Sequence, residues 1–152
     1  MTGVTSMGKA DESVHDRLDQ LKQDIEADIE NIYSRKAREY AETPIHMGRM
    51  TDPDGAAMVR GACGDTMEIY LHIVDQTVSE VLFHTSGCGV TQACGSALAK
   101  LVRGRNINDI LKFSPQDIID ELDGLPDSGV HCAILSVNTL LKALADYYLK
   151  MY

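Results

Sequence analysis

Apolar residues recur along the first part of the chain at spacings of three and four. Val14, Leu18, Leu21, Ile25, Ile29 and Ile32 are separated by Asp, Glu, Gln and Lys, a period that predicts one long amphipathic helix. Residues 1–10 are small and polar without that period and are expected to form a loose terminus. Ser13, with Asp16 three residues on, is the expected cap. So narrow a stripe suits a helix lying on its own domain, or one that binds a partner or a second copy. The helical pattern runs on through Tyr33 to Tyr40 and stops ahead of Thr43-Pro44, because the residue before a proline is pushed out of the helical region. Pro44 to Ala57, with Gly48, Pro53 and Gly55, reads as irregular chain.

The period then changes to two. Met67, Ile69, Leu71 and Ile73 alternate with Glu68, Tyr70 and His72, and Val81, Phe83 and Thr85 alternate with Glu80, Leu82 and His84. These are two half-buried strands joined by a short reversal at Asp75-Gln76-Thr77. Met58 to Arg60 supplies a third strand at the edge of an antiparallel meander. After Gly89 the period lengthens again: Val90, Cys94, Ala97, Leu98, Leu101 and Val102 form the apolar face of a helix that Gly104 stops. Ser114-Pro115-Gln116-Asp117 is a capped helix start, and Gly124 its end. A turn at residues 125–129 leads to a last helix with Ala133, Val137, Leu140, Leu141, Leu144 and Tyr148 as its buried stripe. Sheet first and helices afterwards predict an α+β fold: a small three-stranded antiparallel sheet packed against a layer of helices, with an added long N-terminal helix. The expected division is a flexible terminus and helical extension over 1–31, and one domain over 32–152.

Composition narrows the function. A chain of 152 residues, 44% hydrophobic, can bury a real core. Its formal charge of −9 argues against a nucleic-acid binder, which would cluster Lys and Arg against phosphates, and favours partners with basic surfaces. No apolar signal segment and no membrane-spanning run are read, so no membrane partner is expected and a reducing cytoplasm is the expected compartment for the four cysteines.

Three of those cysteines stand at loop boundaries beside Gly, Asp or His. They are Cys63 in Gly61-Ala62-Cys63-Gly64-Asp65, Cys88 in Ser86-Gly87-Cys88-Gly89, and Cys132 after His131. Cys88 and Cys132 open helical patterns, where unpaired N–H groups and the helix dipole favour thiolate. Glycines around Cys63 would let a bulky inorganic core approach. Asp65 offers a hard oxygen that weakens the hold of a thiolate set on iron and sulfide, and His131 is an alternative ligand or proton partner. The spacing lacks the paired C-x-x-C knuckles of structural zinc sites. Cys94 lies within an apolar helical stripe and reads as a small core residue. Lys100, Arg103 and Arg105 read as a solvated helix end.

Gly-Ala-Cys-Gly-Asp-Thr-Met-Glu-Ile-Tyr-Leu from Gly61, Thr-Ser-Gly-Cys-Gly from Thr85, and Asp120 to Pro126 followed by His131-Cys132 together resemble the IscU/NifU-type iron-sulfur cluster assembly scaffold family. Tyr33-Ser34-Arg35-Lys36 and Thr43 to Gly48 resemble its opening helix and loop, so the likeness runs from about Ile32 onward. It implies a non-catalytic scaffold that assembles a transient [2Fe-2S] cluster from iron and the sulfur of a cysteine desulfurase, then passes it to apo-proteins or carriers. Cys63, Asp65, Cys88 and Cys132 would hold the cluster, with His131 beside them as a further metal ligand and Cys132 the candidate persulfide acceptor. Zinc can occupy the same ligands when no cluster is present. The alternative reading is a zinc-bound sulfur acceptor that stimulates a desulfurase. Leu125-Pro126-Asp127-Ser128-Gly129 stands where members served by a dedicated Hsp70 chaperone carry Leu-Pro-Pro-Val-Lys, so the resemblance does not extend to that route. A homo-oligomer is compatible with the N-terminal helix, which the resemblance does not cover.

Overall fold

The computed structural model describes residues 2–87 and 89–151, and the period-two segments pair in it as their alternation demands. Strands β1 (Gly55–Arg60), β2 (Thr66–Val74) and β3 (Thr77–Thr85) form one antiparallel sheet in the order β1-β2-β3. Asp75 and Gln76, both at positive φ, make the two-residue β2–β3 hairpin, a turn whose twist matches that of the strands it joins. Met67, Ile69, Leu71, Val81 and Phe83 are fully buried on one face of the sheet. Helices α3 (Gly89–Val102) and α6 (Val130–Met151) cover that face, giving the expected two-layer α+β architecture.

Two glycines set the spacing of the layers. A Cβ on Gly95 of α3 would lie 2.4 Å from Phe83 Cδ2, and one on Gly55 of β1 would lie 2.5 Å from Ala143 O of α6. Strand β1 opens at Gly55, three residues ahead of the expected Met58, because α6 completes its edge: Asp146 Oδ2 accepts the Ala56 N–H at 3.0 Å. By length and composition α6 could cross a membrane, yet Ala133, Val137, Leu140 and Leu144 are buried in the core.

Two short helices, α4 (Ile107–Ile110) and α5 (Pro115–Glu121), lie between α3 and α6. Asp117 Oδ2 accepts the Ser114 N–H at 2.8 Å at the start of α5, as the sequence pattern implied. A 3-10 turn, Asp127–Gly129, leads into α6. Glu121 is the polar hub of this layer: it accepts from Lys100 Nζ at 2.8 Å and Tyr40 OH at 3.0 Å, and pairs with Lys36 at 3.3 Å. Lys100 is thus a tether between α3 and α5 rather than part of a merely solvated helix end.

The chain divides into two compact units, Met1–Tyr33 and Ser34–Tyr152. The first is helix α1, Thr2–Ile32. It includes residues 2–10, where a loose terminus was expected; no proline interrupts them, and a helix nucleated in the periodic segment can propagate through. Ser13 is therefore inside the helix and caps nothing. The helix also does not continue to Tyr40. Ser34 accepts the Ala37 N–H at 2.9 Å and caps a separate helix, α2 (Arg35–Glu42), while its hydroxyl donates to Leu122 O.

Candidate functional site

Three chain segments converge where α3 and α6 begin. The β1–β2 connection is tight: the Gly61 N–H donates to Asp65 O at 2.8 Å and the Gly64 N–H to Gly61 O at 3.0 Å. Gly64 has φ +90°, a conformation that strains any residue with a Cβ. Cys63 is exposed on this loop, and Asp65 at its end is half-buried. The base of the loop rests on α6, since a Cβ on Gly61 would sit 3.1 Å from Leu135 Cδ2.

The second segment leaves β3 under close control. Thr85, buried, donates through its hydroxyl to Thr66 O and accepts the Gly87 N–H at 3.0 Å. Ser86 Oγ accepts from Thr66 N at 3.0 Å and Thr66 Oγ1 at 2.9 Å. Gly87 is thereby pressed against the first segment: a Cβ there would lie 2.8 Å from Asp65 Oδ2 and 2.7 Å from Thr91 Oγ1. Cys88 follows Gly87 in sequence and lies outside the described residues.

The third segment is the start of α6. Gly129 comes so close to α3 that a Cβ would meet Val90 Cγ1 at 3.3 Å. Cys132, in the first turn of α6, is 3% exposed. Thr91, in the first turn of α3 and fully buried, links it to Asp65: its hydroxyl donates to Asp65 Oδ2 at 3.2 Å and lies 3.5 Å from Cys132 Sγ. One hydroxyl proton and two lone pairs allow it to serve a carboxylate and a thiol together.

The structure thus brings Asp65 and Cys132 together through Thr91, with Gly87 packed against Asp65 and Thr91. Cys63 shares the loop of Asp65 but is turned to solvent, and His131 is exposed beside Cys132 on α6. Among the described residues, no three His, Cys, Asp or Glu side chains stand close enough to hold a metal ion. Cys94 is fully buried in the stripe of α3, where its neighbours placed it. Thr91 is the residue that reading the sequence misses. Its only signal is a polar side chain on an apolar stripe, three residues before Cys94 and seven before Leu98, and a buried hydroxyl of that kind needs a partner.

The model of the NifU-like N terminal domain family matches residues 32–152. The chain is 32% identical over 120 residues to the iron-sulfur cluster assembly scaffold protein IscU 1 of Archaeoglobus fulgidus, covering 78% of each chain. It is 33% identical over 120 residues to the iron-sulfur cluster assembly scaffold protein IscU of Escherichia coli K12, covering 76% of this chain and 93% of that one. A crystal structure of the N-terminal part of a nitrogen-fixing NifU-like protein from Brucella abortus shares the fold, with a TM-score of 0.64 at 20% identity, covering 80% of this chain and 98% of that one. Family model, relatives and fold agree over the segment that carries the converging loops, and the chain belongs to the NifU-like N-terminal domain family.

Proposed function

We propose that residues 32–152 are a non-catalytic scaffold domain on which a transient [2Fe-2S] cluster is assembled and from which it is passed to apo-proteins, with residues 1–31 an extension to it. The observation that carries this reading is the Thr91 hydroxyl standing between Asp65 and Cys132, with Gly87 packed against the same carboxylate. It links a hard oxygen and a soft sulfur donor through one hydroxyl, beside the residue that precedes Cys88. Cys63, Asp65, Cys88 and Cys132 are the cluster ligands in this proposal, with His131 an alternative to Cys132. Three thiolates and a carboxylate suit iron and sulfide, and the oxygen donor loosens a cargo that must leave. The relatives named as iron-sulfur cluster assembly scaffolds support it.

Sulfur delivery follows from the chemistry of thiols. The Cys132 thiolate attacks the terminal sulfur of a persulfide on a cysteine desulfurase; a Cys132 persulfide forms, and the donor cysteine leaves as its thiolate. Cys132 is 3% exposed and Cys63 open to solvent, so delivery to Cys132 requires its sulfur to become accessible to the donor. A reducing cytoplasm suits cysteines kept as thiols.

Anaerobic reconstitution with ferrous iron, cysteine, a cysteine desulfurase and a thiol reductant, which with the iron supplies the electrons that take persulfide sulfur to sulfide, tests the proposal. The expected product has visible sulfide-to-iron absorption that is lost in Cys63→Ala, Cys88→Ala and Cys132→Ala. In Asp65→Ala it is retained longer in the presence of an apo-ferredoxin. A colourless protein that keeps one zinc through reconstitution overturns the scaffold reading in favour of a zinc-bound sulfur acceptor.

A further inference from the structure

Helix α1 carries an exposed apolar stripe. Val14, Leu18, Leu21, Ile25 and Ile32 are 50–56% exposed. The first four are spaced four, three and four apart, the a/d seam of a coiled coil with Leu18 and Ile25 at a and Val14 and Leu21 at d. A hollow on the helix is lined by His15, Leu18, Asp19, Leu21, Lys22 and Ile25. Four of these, Leu18, Leu21, Lys22 and Ile25, stand at i, i+3, i+4 and i+7, the diamond into which a facing helix inserts a side chain.

The flanking charges decide what faces it. In this frame Arg17 and Asp24 occupy g, and His15 and Lys22 occupy e. A parallel pair sets g against e of the next heptad, so Arg17 would oppose Lys22 of a second copy, twice by symmetry. An antiparallel pair sets g against g and e against e. With Leu18 opposite the other copy's Leu21, and Ile25 opposite its Val14, Arg17 meets Asp24 at two symmetric places. Gln20 already holds Asp24 Oδ1 at 3.1 Å within the helix, so the arginine would take the second carboxylate oxygen. His15 then faces Lys22, where a ring nitrogen can accept from the ammonium. Sliding the pair by one heptad brings Arg17 onto Arg17 in one direction and Asp24 onto Asp24 in the other. Asp28 occupies the next d position and ends the apolar run.

We propose that α1 pairs antiparallel with α1 of a second copy of this chain, in the register that places Arg17 against Asp24. The seam is four layers long, so association is reversible and concentration-dependent. This pairing does not depend on what the domain carries.

Sedimentation velocity of the full chain across a concentration series tests it, with helical circular dichroism as the control for folding. The expected wild-type mass rises from that of one chain toward that of two, and Leu21→Asp holds it at one. Arg17→Glu alone should raise the dissociation constant about tenfold, as two attractive pairs become repulsive ones, and Arg17→Glu with Asp24→Arg should restore it. A parallel pair predicts the reverse for Arg17→Glu, since the introduced carboxylate would then attract Lys22. A single-chain mass up to the solubility limit, a dimer indifferent to Leu21→Asp, or tighter association of Arg17→Glu overturns the proposal.

Discussion

Thr91→Val replaces the hydroxyl linking Asp65 to Cys132 with a methyl of nearly the same shape, removing the hydrogen bonds and little packing. The Thr91–Asp65 distance of 3.2 Å is long for a hydroxyl donor, and the Cys132 contact at 3.5 Å is weak. A hydrogen bond to a carboxylate contributes about 1.5–3 kcal/mol when well formed. The length of this one, and the half-exposure of Asp65, which lets water replace the lost donor, bring the expected cost to about 1 kcal/mol. For a unit of this size that is a fall in Tm of about 4 °C. Urea unfolding should show a lower midpoint with an unchanged slope, and Thr91→Ser, which keeps the hydroxyl but loses a buried methyl, should keep its coupling to Asp65. A double-mutant cycle with Asp65→Ala, which removes the acceptor, should return a coupling of about 1 kcal/mol. If Thr91→Val is as stable as wild type, or its effect simply adds to that of Asp65→Ala, the hydroxyl does not hold the carboxylate and the link is refuted.

Other positions yield shorter tests. Gly87→Ala forces a methyl to within 2.8 Å of Asp65 Oδ2; it should cost about 1–3 kcal/mol by denaturant titration and lower the yield of reconstituted cluster, and a neutral result would show that the turn has room. Gly95→Ala drives a methyl against the Phe83 ring at 2.4 Å and should lower the thermal midpoint by at least as much, with no effect expected if α3 can shift. Lys100, with Tyr40 and Lys36, holds the Glu121 carboxyl below its ordinary value of 4.5 against the cost of burying it. Its stabilising contribution is complete above the unfolded value and fades as pH falls through the lower folded one. Urea midpoints measured between about pH 5 and pH 3 should therefore fall less steeply for Glu121→Gln than for wild type, and equal slopes would remove Glu121 from the acid response.

Much of this protein is written in local patterns. The alternation from Met67 to Thr85 specifies which face of β2 and β3 is buried, because a strand has no freedom to turn alternate side chains the same way. The Ser114-Asp117 start and the glycine stops act within one turn of chain, and so are legible without a fold. The motifs around Cys63, Cys88 and Cys132 and their family likeness were equally visible. Local pattern misjudged the break at Ser34, where a cap interrupts an unbroken helical period. It also missed the early start of β1, whose edge is completed by Asp146 from the far end of the chain. Tertiary structure alone decided that Asp65 and Cys132 meet through Thr91, because that meeting depends on how closely α3 and α6 approach the sheet. Gly55 and Gly95 permit that approach, and no spacing within a single segment records it.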